Sequence, residues 1–145
     1  MISEEFINWI APGVQEICKK YNLFSSVCIA QAALESGWGR YTIGKYNLFG
    51  RKAVDGDKSI LVTTQECYDG EWQNISAAFK DYDSLEDAIE DYCVLLTEEP
   101  VYASCLEQTT VEDFVNTLGP IYATDPEYAN KILQTIGASE LQEYD

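Results

Sequence analysis

One dipeptide, Asp69-Gly70, constrains this chain more than any other feature. It separates two β-rich runs, 60–68 and 71–79, and Asp-Gly between such runs is the strongest short signal for a tight hairpin turn. A two-residue turn pairs Tyr68 with Glu71 and Glu66 with Gln73. The period of two then puts Thr64, Glu66 and Tyr68 on one face. Elsewhere the apolar spacing is helical, so a single hairpin must sit inside a helical chain.

The helices have readable ends. Ser3 suits the cap of a short first helix carrying Phe6, Trp9 and Ile10 on one face. Pro12 suits the first turn of a second, with Val14, Ile17, Cys18 and Tyr21 spaced for burial. Ser25 or Ser26 caps the next, over 26–36, with Val27, Ala30, Ala33 and Leu34 as its stripe; Gly37 and Gly39 stop it. Ser84 begins another, with Leu85, Ala88, Ile89, Tyr92 and Leu96 facing the core. Thr109 or Thr110 caps a helix holding Phe114, Val115 and Leu118, ended by Gly119-Pro120. Asp125-Pro126 starts the last, which stops at Gly137, after which 138–145 trail off. Between Trp38 and Gly56 lies a glycine-rich loop around Asn47-Leu48-Phe49-Gly50. No repeat or linker divides the 145 residues, so the expectation is one α+β domain, mainly helical, over residues 1–145.

Charge narrows the function. The chain has 9 basic and 25 acidic residues, net −16, which argues against nucleic acid and against anionic membranes as partners. The imbalance is local: residues 61–145 hold only two basic groups against nineteen acidic ones. No apolar run approaches the ~18 residues of a membrane helix, and the start Met1-Ile2-Ser3-Glu4-Glu5-Phe6 has neither a basic nor an apolar leader segment. Histidine is absent, which removes Ser-His-Asp and Cys-His machinery and the usual zinc sites. Five cysteines without a CxxC spacing read as buried free thiols. Neither a metal nor a cofactor is expected, and carboxylates must carry any acid–base chemistry.

Glu35 is the carboxylate to choose. It lies in the last turn of the apolar helix, at its partially negative end, between Leu34 and Trp38. Each of these disfavours the charged form, and a carboxyl that keeps its proton near neutral pH can act as a general acid. The competing reading is a surface acid paired with Arg40. Glycoside hydrolysis commonly uses two carboxylates, and Glu66, mid-strand on the hairpin face, is the best second one; its competing reading is a solvent-facing strand residue. Aromatic residues abundant in the same segments suit sugar stacking, and core packing equally.

Several blocks together resemble one family. Ala30-Gln31-Ala32-Ala33-Leu34-Glu35-Ser36-Gly37-Trp38-Gly39, the Asn47-Leu48-Phe49-Gly50 loop, Thr63-Thr64-Gln65-Glu66 followed by Gly70, Trp72 and Ala78-Phe79-Lys80-Asp81-Tyr82, and Tyr122-Ala123-Thr124-Asp125-Pro126-Glu127-Tyr128-Ala129-Asn130-Lys131-Ile132 occur in order. They are similar to the bacterial wall glucosaminidases of glycoside hydrolase family seventy-three, which include a flagellar-rod hydrolase domain, autolysins and phage lysins. The resemblance implies a lysozyme-like fold, a helical lobe and a small β-hairpin lobe flanking a groove. It implies an endo-β-N-acetylglucosaminidase that cuts the β-1,4 bond between N-acetylglucosamine and N-acetylmuramic acid in peptidoglycan. Glu35 carries over as general acid, Glu66 as the hairpin carboxylate, and Tyr122 as a catalytic or substrate-positioning tyrosine. Trp38, Asn47, Phe49, Tyr68 and Asp125 fall in the substrate-binding blocks, although Asp125 also reads as a helix cap.

Two rivals stand beside this reading: a muramidase or lytic transglycosylase on the same polymer, and a non-catalytic glycan-binding module. The expected partner is a peptidoglycan strand at the bacterial wall, met by a monomer. With no leader visible, the chain is expected to be phage-encoded, exported by another route, or part of a larger wall-binding, secretion or phage protein.

Overall fold

The computed structural model describes residues 3–145; Met1 and Ile2, where the reading of a missing leader begins, lie outside the described residues. The elements in chain order are helix α1 (Ser3–Lys20), helix α2 (Ser25–Ser36), strand β1 (Ser59–Tyr68), strand β2 (Glu71–Lys80), helix α3 (Leu85–Glu98), a 3-10 turn (Pro100–Tyr102), helix α4 (Ala103–Leu106), helix α5 (Val111–Tyr122), helix α6 (Tyr128–Ala138) and a second 3-10 turn (Leu141–Tyr144). Among the described residues no helix is long and apolar enough to cross a membrane.

Helix α2 is the axis of the helical lobe. Nearly every residue from Ser25 to Ala33 is buried, so this helix is covered on all sides rather than on one stripe. Helices α1 and α6 and the C-terminal turn pack around it, and α3 lies against α1. The strands form a two-stranded antiparallel hairpin in the register that Asp69-Gly70 dictates, with Glu66 opposite Gln73 and Tyr68 opposite Glu71. Both turn residues have positive φ, 53° and 79°, the turn whose twist matches that of paired strands. Thus the chain has a helical lobe and a β lobe, as the resemblance implies.

The hairpin buries little of its own. Leu61 is 74% and Trp72 55% exposed. It is held at its base instead. The loop before β1 pairs with β2 through Ala53 N–H to Ala78 O (2.9 Å) and Lys80 N–H to Arg51 O (3.0 Å). Asp91 of α3 then takes Arg51 (3.2 Å), Lys80 (3.2 Å) and the Tyr82 hydroxyl. One carboxylate thereby joins loop, strand and helical lobe.

Several boundaries differ from expectation, each for a local reason. Residues 3–20 form one helix, not two. Pro12 costs the bond to the carbonyl of Asn8, but both residues are exposed, so water replaces it while Phe6, Ile10, Val14 and Ile17 stay on one buried face. Helix α5 runs through Gly119-Pro120 to Tyr122. Gly119 is there for close packing, since a Cβ would stand 2.9 Å from that of Ala129 in α6. Helix α6 likewise passes Gly137. Neither Ser25 nor Ser26 caps α2; the Asp145 carboxylate does so from the far end of the chain, accepting from the Ser26 N–H (2.7 Å) and hydroxyl (2.6 Å). The C-terminal residues therefore do not trail off, and Leu141 is fully buried. All five cysteines are buried free thiols.

Candidate active site

Helix α2 ends in an arrangement that leaves Glu35 partly exposed and gives it few charged neighbours. Gly37 takes the left-handed conformation that stops a helix (φ 57°), and the N–H groups of Gly37 and Trp38 both return to the Ala33 carbonyl. Trp38 is itself left-handed (φ 59°), an uncommon conformation for a bulky residue, and its indole packs edge-on against Phe6 of α1 (5.8 Å). The chain then turns so that Asn47-Leu48-Phe49-Gly50 passes in front of Glu35. A Cβ at Gly50 would lie 2.9 Å from the Glu35 carboxylate, and Gly50 has φ 69°. Glycine is required there on both counts.

Burial pushes the Glu35 carboxyl up to about 7; the nearby Tyr128 hydroxyl, placed to donate to it, pulls the other way, and the negative charge of Glu66 pushes it further up. Arg40 is exposed and takes no part, so the alternative of a surface pair does not hold. With that value a substantial share of the carboxyl keeps its proton at neutral pH, on a residue that is still partly exposed.

Glu66 is placed differently. It is half-buried on β1, salt-bridged to Lys52 (3.4 Å) and within hydrogen-bond reach of the Thr124 hydroxyl (3.3 Å). Thr124 also accepts from the Cys67 N–H (2.9 Å). The connection between α5 and α6 thus holds the hairpin against the helical lobe at the level of the second carboxylate. A cavity of about 420 Å³ opens between the hairpin tip and this connection, lined by Cys67, Tyr68, Tyr122, Thr124 and Asp125 among others. A larger one, about 1130 Å³, lies at the other ends of α1 and α2 and contains none of the expected site residues.

The remaining expected residues divide into two groups. Tyr68, 41% exposed, stands at the lip of the smaller cavity, and Tyr122 lines it while its hydroxyl donates to the Phe49 carbonyl (2.7 Å). Asn47 and Phe49, by contrast, are beneath the groove surface, at 1% and 0% exposure. The Asn47 amide donates to the carbonyls of Arg51 and Lys80 and its oxygen accepts from the Arg51 N–H. Phe49 stacks on Tyr92 (4.6 Å). Their side chains shape the loop from behind, where a ligand cannot touch them. Asp125 binds the Glu127 N–H (2.9 Å) and Lys131; burial opposes its charge, but these partners hold its carboxyl below the ordinary value. It serves the turn that leads into α6. Tyr128, the partner of Glu35, was not singled out by the sequence as a site residue. Its place in the Asp125-Pro126-Glu127-Tyr128 block was the available signal.

Known proteins resemble this chain over nearly its whole length. The family described as glucosaminidase (mannosyl-glycoprotein endo-beta-N-acetylglucosaminidase) matches residues 11–141. The peptidoglycan hydrolase FlgJ of Vibrio parahaemolyticus is 36% identical over 140 residues, which cover 90% of this chain and 46% of that protein. The chain spans less than half the length of the curated relatives it matches. Among solved structures, the catalytic domain of the autolysin Auto from Listeria monocytogenes superposes with a TM-score of 0.83 at 40% identity, covering 99% of this chain and 87% of that one. The glycoside hydrolase domain of Salmonella typhimurium FlgJ gives 0.77 at 31%, covering 99% and 91%.

Proposed function

The chain belongs to the glucosaminidase family, and from that membership we propose that it is the catalytic domain of an endo-β-N-acetylglucosaminidase that hydrolyses the β-1,4 bond between N-acetylglucosamine and N-acetylmuramic acid in peptidoglycan. The observation that carries this reading is the state of Glu35: a carboxyl raised to about 7, partly exposed and near enough to Glu66 to feel its charge. Protonated Glu35 donates to the glycosidic oxygen as the bond to the anomeric carbon breaks, so the leaving sugar departs as an alcohol rather than an alkoxide. Positive charge develops on the ring it leaves, and Glu66 supplies the facing negative charge. Glu66 then either activates water or orients the substrate's own acetamido group; the two routes differ in the anomer released. Tyr68 and Tyr122 hold the glycan along the cleft, and Trp38 closes its helical side. The relatives' names and lengths support action at the bacterial wall by a longer protein of which this chain is one part.

The test is digestion of purified peptidoglycan by the wild type and by Glu35→Gln, with mass spectrometry of the new chain ends. A reducing N-acetylglucosamine end is expected from the wild type, and a loss of roughly a hundred- to ten-thousand-fold in rate from the variant. A reducing or anhydro-muramic end assigns the cut to the neighbouring bond, as in a muramidase or transglycosylase. Walls left intact by the wild type would make the groove a binding site only.

A further inference from the structure

Behind Glu35 runs a chain of buried polar groups that the proposed chemistry does not use. Gln31 lies four residues before Glu35, on the same face of α2. Its side chain is wholly buried. Its amide oxygen accepts from the Tyr92 hydroxyl of α3 at 2.6 Å, and its amide nitrogen donates to the Tyr128 hydroxyl of α6 at 3.2 Å. The two lengths fit that assignment, short for O–H···O and longer for N–H···O. Tyr92 is 1% and Tyr128 5% exposed, and among the described residues no buried side-chain polar atom lacks a partner.

A hydroxyl has a single proton. Because Tyr92 donates to the Gln31 oxygen, the amide must present its N–H side to Tyr128. Tyr128 then accepts from Gln31, and its own proton is left for Glu35. We propose that Gln31 and Tyr92 are positioning residues of the catalytic acid: they fix the direction of the Tyr128 O–H bond toward Glu35 and thereby set the pH at which Glu35 gives up its proton. The inference rests on the assignment of Glu35 as the acid, and it makes the relay a counterweight to burial. A donor to the carboxylate favours the ionised form, so Tyr128 keeps the carboxyl from rising beyond the range in which it can still release a proton to substrate and recover it. The other groups facing Glu35 are Glu66 from β1 and Tyr122 from α5, with Arg51 behind Tyr122. None of these touches Gln31 or Tyr92 through a described hydrogen bond.

Tyr92→Phe removes a hydroxyl that never reaches Glu35. Once the Gln31 oxygen has lost its donor, the amide is free to turn it toward Tyr128 and draw that proton away. The Glu35 titration, followed by NMR on the labelled side-chain carboxyl, is expected to move to higher pH in Tyr128→Phe and, by a smaller amount, in Tyr92→Phe. The alkaline limb of the rate profile is expected to move with it. In the Tyr128→Phe background Tyr92→Phe is expected to add no further shift, because its only route to Glu35 is gone. An unchanged Glu35 titration in folded Tyr92→Phe, or an equal shift added in both backgrounds, would overturn the relay. The wild type gives a reading without any variant. The Gln31 amide and Tyr128 ring resonances are expected to follow the Glu35 midpoint, and their indifference to it would also overturn the inference. These titrations need no substrate, so absent product would defeat the assigned activity and leave the relay to be decided separately.

Discussion

The two candidate carboxylates, Glu35 and Glu66, occupy opposite kinds of ground. Glu35 ends a helix that is buried on nearly every side, and its surroundings are made by Gly50 of the loop before β1 in front, Tyr128 of α6 beside it and Gln31 of its own helix behind. Glu66 rides on a hairpin whose outer residues face water, and it is held by one lysine and one threonine. Glu35 stands where solvation is poor; Glu66 stands where a cation and water reach it. The difference teaches that the fold gives two residues of one chemical type different surroundings through burial, the division that the proposed roles require.

If this division holds, Glu66→Gln lowers turnover on peptidoglycan by roughly tenfold to a hundredfold, a smaller loss than Glu35→Gln produces. Steady-state rates with both variants check it, and a Glu66→Gln enzyme of wild-type rate would end the view that the hairpin carboxylate takes part.

The next effect is on stability and has the opposite sign. Folded Glu35 holds its proton to about pH 7, whereas its ordinary value is 4.5. Between those values the unfolded chain releases the proton first, so stability falls as pH rises from 4.5 to about 7 and is level above. Glu35→Gln is expected to remove that slope and to stabilise the fold by about 1–2 kcal/mol at pH 8, with no gain at pH 4. Denaturant titrations at the two pH values measure it; an equal gain at both would mean that the charge is not the cause.

Thr124→Val is the smallest change proposed. It removes the hydroxyl that spans Glu66 and the Cys67 N–H while keeping the volume. A rate loss under about tenfold and a stability loss of ~1 kcal/mol are expected, measured by the same assays. A loss as large as that of Glu66→Gln would show that Glu66 is ineffective unless the α5–α6 connection holds it.

Legibility in the sequence followed the range of the interactions. The hairpin register was readable because Asp69-Gly70 acts on its immediate neighbours. Glu35 was readable because a helix end, an apolar run and an aromatic residue coincide within a few positions. Pro12 and Gly119-Pro120 misled because breaking a helix costs only a few kcal/mol, which burial of a continuous apolar face outweighs. Asn47 and Phe49 sit in a recognisable block, yet whether a loop residue faces the groove or the core depends on what packs behind it, here Tyr92 and the backbone of β2.

By itself, then, the amino-acid order determined a mainly helical chain with one hairpin and the family signature, and it singled out Glu35 as the carboxylate to test, since these follow from local spacing and local polarity. Only the tertiary structure decided that Tyr128, 93 residues away in the chain, steadies Glu35, that Asp145 caps α2, and that Asp91 joins the two lobes. Those contacts unite groups from distant segments, and side chains that meet only after packing leave no periodic trace in the order of the residues.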